Sequence, residues 1–140
     1  MPHFWFNHVD VRDVAKAHLL AMTKEEAAGE RFLLAHPDSD WLMRNVKLMS
    51  EHMAPQYSVG TWPLPYAALW LASWFDGGVA MVLPGWGKKT YLNPQKSIDV
   101  LGLQYTSVRD TYAHSCDSFV AHGEVEVKEG FEPEWKVPSA

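Results

Sequence analysis

The first 35 residues constrain the fold most, because a strand, a helix and a second strand are predicted to follow one another there. Phe4–Val9 is rich in aromatic and β-branched residues, which is typical of a short strand. From Val11 to Met22 apolar residues recur at helical spacing, with Asp10 and Asp13 near the N-terminal end, where the helix dipole favours anions. A glycine then breaks the chain before Arg31–Ala35, a compact apolar run suited to a buried strand.

Helices joined by turns are predicted for the middle of the chain. After a turn capped by Ser39 or Asp40, a second helix should end at Pro55. Its apolar face is expected to consist of Trp41, Leu42, Val46, Met49 and Met53. Two prolines keep residues 57–65 extended, and Tyr66–Phe75 is predicted as a third helix. Because that helix is apolar nearly all round, we expect it to be buried.

Two further helices and a tail complete the pattern. A short helix should begin at Asn93-Pro94, because proline suits the first position of a helix, and a last helix should run from Ser107 to about Gly123. The residues that follow alternate weakly and include two prolines, so residues 124–140 are expected to form a poorly ordered tail. The predicted domain is therefore 1–123.

The size and charge of the chain exclude several classes of protein. A chain of 140 residues can bury one core, and its 47% hydrophobic and 21% charged residues argue against disorder. The net charge of -5 and the scattered basic residues exclude a nucleic-acid partner. A single cysteine, Cys116, allows no internal disulfide, and the first residues lack the apolar run of a signal peptide. A cytoplasmic location is expected.

Motifs for dinucleotide binding and catalysis are not found in the sequence. Gly85-Trp86-Gly87 lacks the third glycine of a dinucleotide-binding loop. No Tyr-x-x-x-Lys pair is present, because Gln95 follows Tyr91 at that spacing and an arginine follows Tyr105. No two of the seven histidines lie at the i, i+4 spacing that would aim both at one metal ion. We therefore predict no catalytic, cofactor-binding or metal-ligating residue in this chain.

An aromatic concentration at Trp62, Trp70, Trp74 and Phe75 has three interpretations. These side chains can form the core, line a pocket for an apolar or aromatic substrate, or cover a surface where another part of a larger protein docks. A membrane partner is not expected, because the segment is too short to span a bilayer and no basic residues flank it along the chain.

Several runs, taken in order, carry a resemblance to a known family. They are Phe6–His18, Ala27–Ala35, Trp74–Asp76, Leu83-Pro84, Gly87-Lys88 and Leu101–Tyr105. Through them the chain from Phe4 to about Val125 resembles the C-terminal portion of the dihydroflavonol 4-reductase-like reductases, which are extended short-chain dehydrogenases of the NAD-dependent epimerase/dehydratase superfamily.

The resemblance implies an α/β fold of which this chain is the C-terminal, substrate-side lobe. That lobe would be mostly helices with a few short strands and an incomplete nucleotide-binding sheet of the Rossmann type. In such enzymes NAD(P)H gives a hydride to the carbonyl group of a small apolar or aromatic substrate, and a tyrosine acts as general acid. The glycine loop and the Tyr-Lys pair would precede Met1, so the chain alone is expected to bind no cofactor and to be inactive.

Candidate functional residues follow from the resemblance and from the aromatic pattern. The candidate substrate-pocket residues are Phe4, Trp5, Trp62, Tyr66 and Trp70. Asp10 and Asp13 are expected to stabilise the start of the first helix. An alternative function is that of a non-catalytic module that binds a small molecule or associates with itself through exposed aromatic side chains.

Overall fold

The computed structural model of the protein describes residues 3–60 and 62–134. Within these ranges six α-helices surround one pair of very short strands. In chain order the elements are β1 (Trp5–Phe6), α1 (Val11–Thr23), β2 (Asp40–Trp41), α2 (Leu42–Met53), α3 (Tyr66–Ala72), α4 (Gly77–Val82), α5 (Gln95–Leu101) and α6 (Val108–Ala121). Single 3-10 turns lie at Glu25–Ala27 and Leu83–Gly85. The architecture is mixed and mostly helical, consistent with part of an α/β fold.

The two strands form an antiparallel ribbon, with Trp5 opposite Trp41 and Phe6 opposite Asp40. Backbone hydrogen bonds extend this pairing at both ends, from Leu42 to the carbonyl oxygen of Phe4 at 2.9 Å and from His36 to that of His8 at 2.7 Å. The strand predicted over Phe4–Val9 therefore exists but is shorter, because β2, its partner, is itself only two residues long.

The segment 31–35 is extended but does not form the predicted strand. Its side chains alternate, since Phe32 and Leu34 pack against the core whereas Leu33 is 46% exposed. Yet no backbone group of these five residues makes a hydrogen bond to any other part of the described chain. The prediction of a strand was correct in its side-chain pattern and wrong in its pairing, because no neighbouring strand lies beside it.

The first helix packs on one of two small cores. α1 was predicted over Val11–Met22 and is found at Val11–Thr23, which confirms it. Its Ala17 is buried together with Ala27, Leu101 and Leu103, and Phe32 closes this cluster from the extended segment. This core therefore joins α1, α5 and residues 31–35.

The second core lies between α2 and α6. Met53 and Cys116 are buried there with Tyr57 and Val120, and Met49 packs against them, which confirms the C-terminal part of the predicted apolar face of α2. Trp41, predicted on the same helical face, lies in β2 instead, because the helix begins only at Leu42. A hydrogen bond of 2.7 Å between His52 Nε2 and Asp117 Oδ1 links the same two helices.

Part of the predicted tail contacts this second core. The hydroxyl of Tyr57 donates to the carbonyl oxygen of Glu126 at 2.7 Å, and the Gln56 amide donates to that of Gly130 at 2.7 Å. Phe131 packs edge-on against the Tyr57 ring at 5.2 Å. Residues 135–140 of the predicted tail lie outside the described residues, and the boundary at residue 123 stays a prediction.

The predicted third helix differs most from expectation. It ends at Ala72 instead of Phe75, and a further helix, α4, follows because the Asp76 carboxylate caps it by accepting from the backbone of Gly78 and Val79. Burial was also wrong, since Leu69 is the one buried residue described between positions 62 and 82. The core interpretation of the aromatic concentration is wrong for the same reason: Trp62 and Phe75 are each 87% exposed.

Candidate functional site

The start of α1 carries a network of charged side chains. Oδ1 of Asp10 accepts from the backbone N–H of Arg12 at 2.8 Å, which caps the helix. The Arg12 guanidinium also donates to both carboxylate oxygens, at 2.8 and 2.6 Å, and these hydrogen bonds lower the pKa of Asp10 to about 2. Nη1 of Arg12 lies 2.8 Å from Nδ1 of His114, so the cap is joined to α6.

Asp13 makes a second link between α1 and the start of α6. Its side chain is fully buried, and it accepts from the backbone N–H of Thr106 at 2.6 Å and from the Thr106 hydroxyl at 2.9 Å. Lys16 lies 3.7 Å from the same carboxylate. Asp10 and Asp13 thus hold the framework together, and their oxygens are engaged within the chain.

A cavity of about 410 Å³ lies beside this network. Its lining residues are Val9, Asp10, Val11, Arg12, Thr111, His114, Ser115, Ser118 and Phe119. Ser115 donates its hydroxyl hydrogen to the carbonyl oxygen of Thr111 at 2.7 Å, which occupies the proton that a base would have to remove. The surface of the cavity is more apolar than polar, and its polar side chains include the Arg12–His114 pair. The sequence did not indicate this pair, because the two residues are 102 positions apart.

The predicted pocket residues separate into two groups. Phe4 and Tyr66 both contact Trp86 edge-on, at 5.7 and 5.6 Å between ring centroids. Trp5 contacts the Trp41 ring at 5.4 Å. Together with His3 and Tyr91 these residues form what we call the aromatic cluster: His3, Phe4, Trp5, Trp41, Tyr66, Trp86 and Tyr91. The other two candidates, Trp62 and Trp70, lie outside this cluster.

The aromatic cluster offers flat apolar surface next to a positive charge. His3 stacks on Trp41 at 3.9 Å, and Nζ of Lys89 lies 5.2 Å from the Trp5 ring and 5.5 Å from the Trp41 ring. Such a surface can stack against an aromatic molecule. The ring contacts within the cluster can therefore help to position a substrate.

Burial favours the neutral forms of three ionisable groups elsewhere, His8, Tyr112 and Cys116. His8 stacks on His36 at 5.3 Å between ring centroids, and burial, followed by repulsion from His36, lowers the pKa of His8. Burial raises the pKa of Tyr112 to about 12. Burial also raises the pKa of the Cys116 thiol, which makes that cysteine a poor nucleophile. The raised pKa values of Tyr112 and Cys116 move their titration away from neutral pH, so neither is prepared to act as a general acid there.

The glycine-containing turns do not fit a dinucleotide cofactor. A pyrophosphate needs free backbone N–H groups at a helix N-terminus. At the start of α4 the N–H groups of Gly78 and Val79 donate to Asp76, and in the later turn the N–H of Gly87 donates to His3 at 2.9 Å. Among residues 3–60 and 62–134 no three His, Cys, Asp or Glu side chains come together as metal ligands.

Comparison with known proteins gives a distant relative. No protein-family model matches the chain, and no solved structure matches it. A curated protein of Synechocystis sp., named "Putative dihydroflavonol 4-reductase", is 28% identical over an alignment 134 residues long, and this alignment covers 87% of the chain. The chain spans 39% of the length of that relative. This similarity suggests a distant relationship to reductases, and the mixed, mostly helical architecture is consistent with part of an α/β fold.

Proposed function

We propose that this chain is the C-terminal, substrate-side part of an NAD(P)H-dependent oxidoreductase that reduces a carbonyl group to an alcohol, and that it is inactive by itself. The substrate would be a small apolar or aromatic carbonyl compound, as in dihydroflavonol reductase-like enzymes. The similarity to 39% of a relative named as such a reductase supports this assignment.

The segment 31–35 is the observation that carries the proposal. Backbone groups that are buried in a folded protein are almost always paired. Ala35 is buried and Phe32 and Leu34 are half-buried, yet no backbone group of 31–35 makes a hydrogen bond within the described chain. Their side chains alternate as in a strand with one face on a core. An adjacent strand of a larger sheet would pair this backbone, which is how an incomplete nucleotide-binding sheet would look.

Neighbouring apolar surface supports the same interpretation. A shallow cavity of about 190 Å³ lies along the segment and is lined by Phe32, Leu34, Ala21 and other residues of α1 and α5. On α1, Leu19 and Met22 are 63% and 84% exposed. Helices on the face of an α/β sheet cover such apolar surface. A nucleotide-binding part that completes the sheet would thus pack against exposed apolar side chains of α1 and of the segment 31–35.

The division of chemical roles follows from the site. NAD(P)H, bound by the rest of the enzyme, would supply the hydride. The tyrosine that donates the proton would also come from that part, because this sequence has no Tyr-x-x-x-Lys pair. The aromatic cluster of this chain would contribute one wall of the substrate pocket, through Phe4, Trp5 and Tyr66.

A direct assay tests this proposal. The purified 140-residue chain is incubated with NADPH or NADH and a panel of aromatic aldehydes and ketones, and the loss of the reduced cofactor is followed by its absorbance. We expect no turnover, and no cofactor binding by calorimetry. Reduction of a carbonyl compound by the isolated chain would contradict the proposal.

A second candidate function is a non-catalytic module derived from the same family. The observation that favours it is the aromatic cluster, which is assembled within this chain and needs no other domain for its ring contacts. Such a module would bind an aromatic molecule or associate with a second copy. A stable dimer, or binding of an aromatic carbonyl compound without cofactor, would favour this function over the first.

A further inference from the structure

The segment 62–82, which we call the Trp hairpin, consists of α3, α4 and the residues leading into them. Its exposed large apolar side chains are Trp62, Leu64, Tyr66, Trp70, Leu71, Trp74, Phe75, Met81 and Val82. Leu69 is the one buried residue described in it. Monomeric proteins in water rarely expose so continuous an apolar surface, so something must cover it.

The apolar side chains are exposed on more than one side of α3. Tyr66 and Trp70 are four residues apart and share a face, whereas Leu71 lies about 100° further round the helix, and all three are 45 to 55% exposed. In the turn between α3 and α4, Trp74 and Phe75 are 67% and 87% exposed. A flat partner surface covers one face of a helix, but a lipid layer surrounds a protruding element on all sides.

The charge distribution is that of a lipid-facing element. Residues 53–87 contain a single charged side chain, Asp76, and its carboxylate accepts from the backbone N–H groups of Gly78 and Val79. Four of the exposed side chains are Trp or Tyr, which favour the boundary between lipid headgroups and hydrocarbon. The hairpin therefore has few charged groups that would be strongly hydrated or would form ion pairs with the polar residues around a protein interface.

Basic residues lie at the base of the Trp hairpin in the fold, although they do not flank its Trp62–Phe75 portion along the chain. Trp86 packs against Tyr66 at the start of α3, and the exposed Lys88 follows two positions later. Lys89 lies next to it, over Trp5 and Trp41. These two cations complement the negative charge of anionic lipids. The absence of flanking basic residues was one of the two reasons to expect no membrane partner, and the position of Lys88 and Lys89 in the fold removes it. The other reason, that the segment is too short to span a bilayer, does not apply to surface insertion.

The dimensions agree with shallow insertion. None of the helices described in the two ranges has the length and apolar character that a membrane crossing requires. α3 has seven residues, which corresponds to about 10 Å. An interfacial element is buried by about 5 to 10 Å. We propose that the Trp hairpin inserts into the surface of a bilayer that contains anionic phospholipid, with Lys88 at the headgroups.

Flotation with vesicles tests this inference, because aggregated protein sinks in a density gradient while bound protein rises. The full chain is mixed with vesicles of phosphatidylcholine and phosphatidylserine, or of phosphatidylcholine alone. We expect flotation with the mixed vesicles and a shift of tryptophan fluorescence to shorter wavelength. Replacement of Trp74 and Phe75 by Ser should weaken binding more than about tenfold. K88Q should weaken it about fivefold on the mixed vesicles and leave binding to phosphatidylcholine unchanged.

A matched control carries the same number of changes elsewhere. Leu19→Ser with Met22→Ser removes two exposed apolar side chains of α1 and should float as the unmodified chain does. Absence of flotation with both vesicle types would overturn the inference, as would flotation that the Trp74 and Phe75 changes leave intact. A dimer that forms without lipid, dissociates with those two changes and does not float would assign the hairpin to a second copy and also overturn it. None of these results depends on reductase activity.

Discussion

Removal of the Asp13 carboxylate should destabilise the protein strongly, because this side chain joins two helices from a buried position. The side chain is fully buried and accepts two hydrogen bonds from Thr106, at 2.6 and 2.9 Å. A hydrogen bond to a charged group contributes about 1.5–3 kcal/mol. The Thr106 donors are half-buried, so in the variant they can form some hydrogen bonds to water instead. The contact between Asp13 and the exposed Lys16 contributes little to the free energy of unfolding. We therefore expect D13A to lower the free energy of unfolding by about 3 kcal/mol.

Urea unfolding followed by circular dichroism measures this loss. D99A is the matched control, because Asp99 is an exposed carboxylate on α5, and it should change the free energy of unfolding by less than about 0.5 kcal/mol. T106V removes the hydroxyl that donates to Asp13. The double variant D13A/T106V should therefore lose about 1 kcal/mol less free energy of unfolding than the sum of the two single losses. A loss below about 1 kcal/mol for D13A would refute the reasoning that Asp13 joins α1 to α6.

Three further changes test other parts of the structure. The pKa of Asp10 is lowered from 3.8 to about 2, so its stabilising effect is complete above pH 3.8 and is lost as the pH falls through about 2. D10N should therefore reduce the pH dependence of the free energy of unfolding below pH 3.8. The pKa of Tyr112 is raised from 10.0 to about 12, so the folded state should lose stability as the pH rises between these values, and Y112F should remove that loss in alkaline urea titrations. L101A should cost about 2–5 kcal/mol in urea unfolding, since Leu101 is 1% exposed in the first core, whereas L19A on the exposed side of α1 should cost less than about 1 kcal/mol.

Local signals predicted most of the helices. The bounds of α1 depend on apolar spacing and on a capping aspartate, both of which lie within a few residues. α6 begins after Ser107 as expected, because the Ser107 hydroxyl accepts from the backbone of Asp110. α5 follows Asn93-Pro94 for a similar local reason. Such signals depend on residues that are close together in the sequence, so they can be recognised without knowledge of the tertiary structure.

Features that depend on distant contacts could not be predicted. The burial of α3 was inferred from its composition, but burial requires a second surface. The described residues cover Trp70 and Leu71 only in part and leave them 45% and 55% exposed. The bonds that join Asp13 to Thr106 span 93 residues, and no spacing rule links such positions. The aromatic cluster was only partly predicted, because Trp86 and Trp41 come to Phe4 and Trp5 through the chain fold.

The two proposals rest mainly on different surfaces of the molecule, although Tyr66 belongs both to the aromatic cluster and to the Trp hairpin. The first rests on the unpaired backbone of 31–35 and the apolar side chains of α1, where a nucleotide-binding sheet would pair. The second rests on the Trp hairpin. A reductase that bound a bilayer through the hairpin would keep the first surface for its own nucleotide-binding part, so the two proposals are compatible and can fail separately.

Amide hydrogen exchange at residues 31–35 tests the central claim most directly. The rates would be measured for the 140-residue chain alone and for the same chain joined to whatever coding sequence precedes it in its source transcript, alongside NADPH-dependent carbonyl reduction. The account predicts rapid exchange and no activity for the chain alone, and slow exchange at these five residues together with activity for the joined protein. Slow exchange at 31–35 in the isolated chain, or activity without the added part, would contradict it.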